Sequence, residues 1–129
     1  MPFTYSFHVD PSGFVLLRAI GAVNLVMWAN AMRQIIADRA FRDTMPVLLD
    51  VTEASGAPQP DETVIIARTW RLLAPHSRGA IIAPEGLKLG AARQVEQQSE
   101  ERVRAFADFP AAVEWLSGST RHTASINVS

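Results

Sequence analysis

The sequence predicts an α/β domain built on a mixed, mostly parallel sheet that opens with a β-hairpin. Three observations carry this. Two stretches of strand character at the N-terminus are joined by Asp10-Pro11-Ser12-Gly13, a combination suited to a tight turn because proline presets φ and glycine accepts positive φ. Short continuous apolar runs, Val47-Leu48-Leu49 and Gly79-Ala80-Ile81-Ile82-Ala83, recur later, as strands buried on both faces do. Stretches of helical spacing separate those runs, and strands alternating with helices imply parallel pairing through crossover helices.

Taken in order, Phe3, Tyr5, Phe7 and Val9 alternate with Thr4, Ser6, His8 and Asp10, the period of a half-buried strand. Phe14 to Ile20 forms its antiparallel partner, ended by Gly21. Asn24 can cap the helix that follows. In that helix Leu25, Trp28, Ala29, Met32, Ile35 and Ile36 share one face, opposite Asn30, Arg33, Gln34 and Asp38. Pro46 leads into the buried strand Val47 to Val51, and Thr52 to Gln59 reads as a loop. Pro60, Asp61 and Glu62 suit the first turn of a second helix, which runs to Ala74 and is stopped by Pro75. Its expected buried residues are Ile65, Ile66, Leu72 and Leu73. Gly79 to Ala83 is the next strand. A third helix carries Leu87, Ala91 and Val95 on its apolar edge. Val103 to Ala107 is the last strand, and Asp108 with Pro110 opens a short final helix. The order is β-β-α-β-α-β-α-β-α, about four helices in all. Residues 1–116 are expected to form one domain, and the polar stretch from Ser117 to Ser129 a flexible tail.

Composition narrows the function classes. A chain of 129 residues suits one domain, and 48% hydrophobic residues put it among globular rather than disordered chains. The absence of cysteine removes disulfides and cysteine-ligated metal sites. His8, His76 and His122 fall in separate segments without ligand spacing, so no metal and no cofactor is expected. A net charge of -1 lacks the basic surplus of a nucleic-acid binder. No apolar run is long enough to span a bilayer, and the N-terminus lacks the basic and apolar regions of a signal peptide. The expectation is a cytoplasmic protein without stable membrane insertion. No Gly-x-Ser-x-Gly elbow, phosphate-binding Gly-x-x-x-x-Gly-Lys or strand-to-helix Gly-x-Gly-x-x-Gly appears, and His76 beside Ser77 does not make a nucleophile pair.

Several stretches then line up with this order: Gly21; Phe41-Arg42; Pro46 to Ala54; Pro75 to Pro84; Gly90-Ala91-Ala92-Arg93; Phe106-Ala107-Asp108; and Ala112 to Leu116. From Phe3 to Leu116 the chain resembles the SpoIIAA-like group of STAS-related domains, whose wider fold relatives include the CRAL-TRIO lipid-binding proteins. The resemblance implies a four-helix, mixed-sheet domain. Its anti-sigma factor antagonists are non-enzymatic switches that bind a kinase, and they carry a phosphorylatable serine in an Asp-Ser-Ser-Gly-like stretch at a helix start. Here that region reads Glu53-Ala54-Ser55-Gly56-Ala57-Pro58-Gln59-Pro60-Asp61-Glu62. Ser55-Gly56 matches in part. A proline-rich segment separates it from the helix, and a phosphate on Ser55 would meet Glu53, Asp61 and Glu62. The charge environment weighs against Ser55 as a phosphosite.

Two surfaces remain as candidates. Ligands of open α/β sheets bind beyond the carboxyl ends of parallel strands. Asp50, Thr52 and Glu53 follow one central strand, Pro84 follows the next, and Arg93 sits on the helix after that. They are either a polar ligand edge or a structural set in which Asp50 and Glu53 hold loop amides or pair with Arg93. The helix from Pro60 is apolar over a wide arc that includes Ile65, Trp70 and Leu72. Either Trp70 closes the core edge, or these residues form a homodimer or partner interface; the helix could also line a pocket for a small apolar ligand. A non-catalytic binding or regulatory domain acting through protein contact ranks first. A small-molecule or lipid carrier ranks second, and an enzyme using Asp50 or Glu53 with Arg93 third.

Overall fold

The computed structural model describes residues 4–10, 13–22 and 24–116. The predicted facing of Phe3, the Pro11-Ser12 turn, the location of His122 and the tail from Ser117 lie outside the described residues. Five strands form one sheet in the order β1 (Thr4–Asp10), β2 (Phe14–Ala22), β3 (Val47–Ser55), β4 (Gly79–Ile82) and β5 (Val103–Phe106). β1 and β2 pair antiparallel, and the other pairings are parallel. The helices between them are α1 (Leu25–Ala37), α2 (Pro60–Leu73) and α3 (Leu87–Gln98). A fourth, α4, spans residues 109–116.

This topology decides where the helices go. Each parallel crossover advances one strand in the same direction. Crossovers of one hand that step in one direction put their helices on the same face. The core follows suit. Val15, Leu17, Val47, Leu49 and Ile81 belong to the cluster that α1, α2 and α3 cover. Leu48, Ala80 and Ile82 point the other way, under Ala112 and Leu116 of α4. On β1 the period-two reading holds: Val9 is buried, Tyr5 and Phe7 pack on the three-helix core, and His8 is exposed.

Local chemistry fixes the element starts. The Asn24 side chain accepts from the Met27 N–H at 3.1 Å, and Asp108 accepts from the Ala111 N–H at 2.7 Å. Both are the side-chain caps expected at helix N-termini. Glu62 reaches back to the Gln59 N–H at 2.8 Å, half of a capping box, with Pro60 in the first turn. At the other end of α3, the Ser99 hydroxyl donates to the Glu96 carbonyl (2.7 Å) and accepts from the Val103 N–H (3.0 Å). Ser99 is buried, so it ties α3 to the first residue of β5. Ser99→Ala leaves the Val103 N–H without this acceptor and is expected to cost about 2 kcal/mol in urea unfolding; an unchanged midpoint would show that another acceptor replaces it.

Several expectations need correction. β3 continues through Ser55 rather than ending at Val51, and β2 continues past Gly21 to Ala22. Between Arg18 opposite Asp50 and Ile20 opposite Glu53, β3 carries one residue more than β2, a bulge of the kind that re-aims a strand end. Ile36 of α1 and Leu87 of α3 are on the solvent side; Ala31, Leu89 and Ala92 are buried instead. On α2 the buried residues are Thr63, Ala67 and Trp70. Ile66 and Leu73 are partly buried, while Ile65 and Leu72 are 42% and 71% exposed. Small side chains at Thr63 and Ala67 let α2 settle between its neighbouring helices, and bulkier Ile65 and Leu72 are turned away.

Candidate functional site

The predicted strand-end set divides between the two faces of the sheet. Asp50 is 7% exposed. Its Oδ1 accepts from the Thr52 N–H (2.9 Å) and the Thr52 hydroxyl (2.7 Å), and its Oδ2 lies 3.3 Å from the Arg18 Nε. Asp50 shares the face of Leu48. Arg93 stands exposed on α3, which covers the opposite face. The partner of Asp50 is therefore Arg18, one strand over, rather than Arg93. Glu53 is exposed near the end of β3, and Pro84 follows β4 half-buried. Ser55 is the exposed last residue of β3, ahead of Gly56, whose φ is 72°, and α2 begins only at Pro60. Among the described residues no three histidine or carboxylate side chains gather as a metal site, and no helix is long and apolar enough to cross a membrane.

Trp70 does not front an interface. It is 2% exposed, and its indole lies on Gly79 of β4 so closely that a Cβ there would fall 1.9 Å from Cζ2. Trp28 of α1 packs beside it, ring centroids 5.6 Å apart at 52°. Both indole N–H groups are buried without an acceptor. The wide apolar arc read from the sequence is thus two surfaces: Trp70 inward, Ile65 and Leu72 outward.

A cavity lies near this part of the core. α2 packs chiefly on α1 and α3, with little backbone contact to the strands, and Trp70 is the strut between it and the sheet. Between the sheet, α1 and α3, and touching α2 at Ile66, the cavity measures about 80 Å³. Five alanines line it: Ala19 and Ala54 from the sheet, Ala31 from α1, Ala91 and Ala92 from α3. Each presents only a methyl group where a larger side chain would fill the void. Trp28 and Val51 add apolar wall. The cavity reaches the carboxyl edge of the sheet at Asn24, Gly56, Pro58 and Lys88. The Lys88 ammonium donates to the Thr52 carbonyl at 3.2 Å, joining the start of α3 to the end of β3 beside the opening.

The cavity opens at the edge that the sequence pointed to, but Asp50, Thr52, Glu53, Pro84 and Arg93 are absent from its lining. Arg18 was legible as a lone charge inside the apolar run from Phe14 to Ile20. Lys88 was legible as the one cation in the first turn of its helix. The cavity had no local signal, because its alanines come from four separate elements.

Comparison with known proteins bears on the architecture. A crystal structure of an uncharacterised DUF3478-family protein from Shewanella loihica PV-4, described as having a SpoIIAA-like fold, superposes with a TM-score of 0.60 at 17% identity, over 88% of this chain and 93% of that one. The fold is SpoIIAA-like. At this identity the likeness concerns architecture alone, and it shows no relation to the CRAL-TRIO proteins. No family model matches the chain, and no curated protein matches it. Within the SpoIIAA-like frame, the hairpin, the four parallel-paired strands and the helices are the expected parts. The alanine-lined space between the sheet, α1 and α3 is built by this chain's own side chains.

Proposed function

We propose that this protein is a non-catalytic binding domain whose ligand is a small molecule with an apolar body, held between the sheet and helices α1 and α3 beside Ile66 of α2. The observation that carries this is the alanine-lined cavity opening at the carboxyl edge of the strands, the edge at which open α/β sheets take their ligands. Apolar cavities of this kind stay dry and gain by admitting an apolar guest. The reading reverses the order drawn from the sequence, because Trp70, the anchor expected for protein contact, is part of the core.

Ala92→Met tests it. Methionine keeps the helix propensity of α3 and fills irregular gaps, so the variant is expected to gain about 1 kcal/mol of stability. Ligand-detected NMR with 1-pentanol should show binding to the unmodified protein and none to Ala92→Met. Equal binding to both, or none to either, would overturn the proposal.

Protein contact is the second reading, favoured by Leu72 at 71% exposure and by Ile65 two turns before it on the same side of α2. Light scattering decides it: concentration-dependent self-association abolished by Leu72→Glu would support a dimer through this face, and a strict monomer would end it.

A further inference from the structure

The polar chemistry at the cavity mouth narrows the ligand. Among the described residues that line it, Lys88 is the only one with an ionisable side chain. Asn24 already accepts from the Met27 N–H through its Oδ1, and Trp28, also in the lining, carries an uncharged indole N–H. Lys88 is half-buried, and its ammonium has three donor hydrogens, of which the Thr52 carbonyl takes one. The remaining donors belong to a cation that is fixed at the opening by that bond. Gly86, which precedes α3, supplies no capping side chain, so the positive end of a helix of 12 residues, in whose first turn Lys88 stands, adds to the positive field at this edge. Glu53 and Glu85 stand exposed at this edge but do not line the cavity.

Size sets the body. The cavity holds about 80 Å³, roughly half of the ~150 Å³ that encloses a benzene ring, so it encloses roughly three or four carbons, with the rest of the ligand in the mouth.

We infer that the ligand is a short-chain organic acid of roughly four to six carbons, its chain among the alanines and its carboxylate on Lys88. This rests on the cavity reading above and adds the head group to it. A charge-assisted hydrogen bond discriminates strongly when it is partly shielded from water, and an alcohol of equal chain length would lack it.

The test is a matched set of ligands: pentanoate, 1-pentanol and acetate, titrated by calorimetry or followed by the fluorescence of the cavity-lining Trp28. Pentanoate is expected to bind about tenfold more tightly than 1-pentanol, and acetate, which has the head without the body, not measurably. Lys88→Met keeps the aliphatic stem and removes the charge. It should weaken pentanoate about tenfold and leave 1-pentanol within about twofold, and raising the salt concentration should narrow the gap between the two ligands in the unmodified protein. If pentanoate binds no better than 1-pentanol, or if Lys88→Met weakens both equally, the head-group assignment fails while the cavity reading stands. If acetate binds as well as pentanoate, the anion is held adventitiously at the surface and the assignment fails. If neither five-carbon ligand binds, both fail together. Methionine keeps the half-buried stem of Lys88, so circular dichroism should show the variant folded.

Discussion

Gly79→Ala is expected to destabilise this protein by about 3 kcal/mol or more, among the largest effects of adding a single methyl group anywhere in the chain. Glycine-to-alanine changes usually carry a gain of roughly 0.4–1 kcal/mol from the unfolded state when the backbone tolerates them. Gly79 lies in β4, outside the positive-φ glycines, so the backbone itself would accept alanine. The obstacle is Trp70. A Cβ at position 79 would lie 1.9 Å from Cζ2, 2.5 Å from Cη2 and 2.8 Å from Cε2 of the indole. The ring cannot swing away, since Trp70 is 2% exposed and bounded by Trp28. α2 would have to lift or β4 to shift, and overpacking of this kind costs about 1–3 kcal/mol and occasionally more. The clash therefore outweighs the entropic gain. At about 4 °C per kcal/mol for a chain of this size, the thermal midpoint should fall by roughly 12 °C. A double-mutant cycle identifies the cause. Phenylalanine lacks the atoms of the second ring, so in a Trp70→Phe background the cost of Gly79→Ala should drop below about 1 kcal/mol. An unchanged cost in that background would mean that the contact with Trp70 is not the reason.

The same contact shows why parts of the fold were legible in the sequence and parts were not. Local chemistry announces itself: Asn24 and Asp108 as caps, Pro60 at a helix start, the alternation from Tyr5 to Val9, and the continuous run of Val47-Leu48-Leu49 all mark their elements correctly. Those signals depend on neighbours a few residues away. Which side of a helix is buried depends on what it meets. On α2 the apolar residues outnumber the positions facing the core, and hydrophobicity alone ranks Ile65 and Leu72 above Thr63 and Ala67. The structure chooses the small pair because α1 and α3 approach closely there, and it places Trp70 over the one residue of β4 that has no side chain. A glycine nine residues beyond Trp70 in the sequence gives no hint of that pairing.

Asp50→Ala is expected to cost about 3 kcal/mol, and the pattern around it separates a structural carboxylate from a reactive one. The carboxylate is buried, accepts twice from Thr52 and pairs with Arg18. Removing it leaves the Thr52 N–H and hydroxyl without their acceptor at the point where β3 bulges, and it takes the opposite charge from Arg18. Unsatisfied donors cost about 1–3 kcal/mol. The Arg18 side chain is 45% exposed, so water recovers much of its loss and its share is under about 1 kcal/mol. Arg18→Met should accordingly cost about 1 kcal/mol, less than Asp50→Ala, because Thr52 still holds the carboxylate. Arg93→Ala should fall within about 0.5 kcal/mol of the unmodified protein, as exposed substitutions do, and should add to Asp50→Ala without coupling. Urea unfolding of the three variants and of the Asp50–Arg93 double variant measures all of this. A coupling of 1 kcal/mol or more between Asp50 and Arg93 would restore the acid-and-arginine edge that the sequence suggested. A neutral Asp50→Ala would mean that the buried carboxylate is kept for chemistry rather than for the bulge it now holds in place.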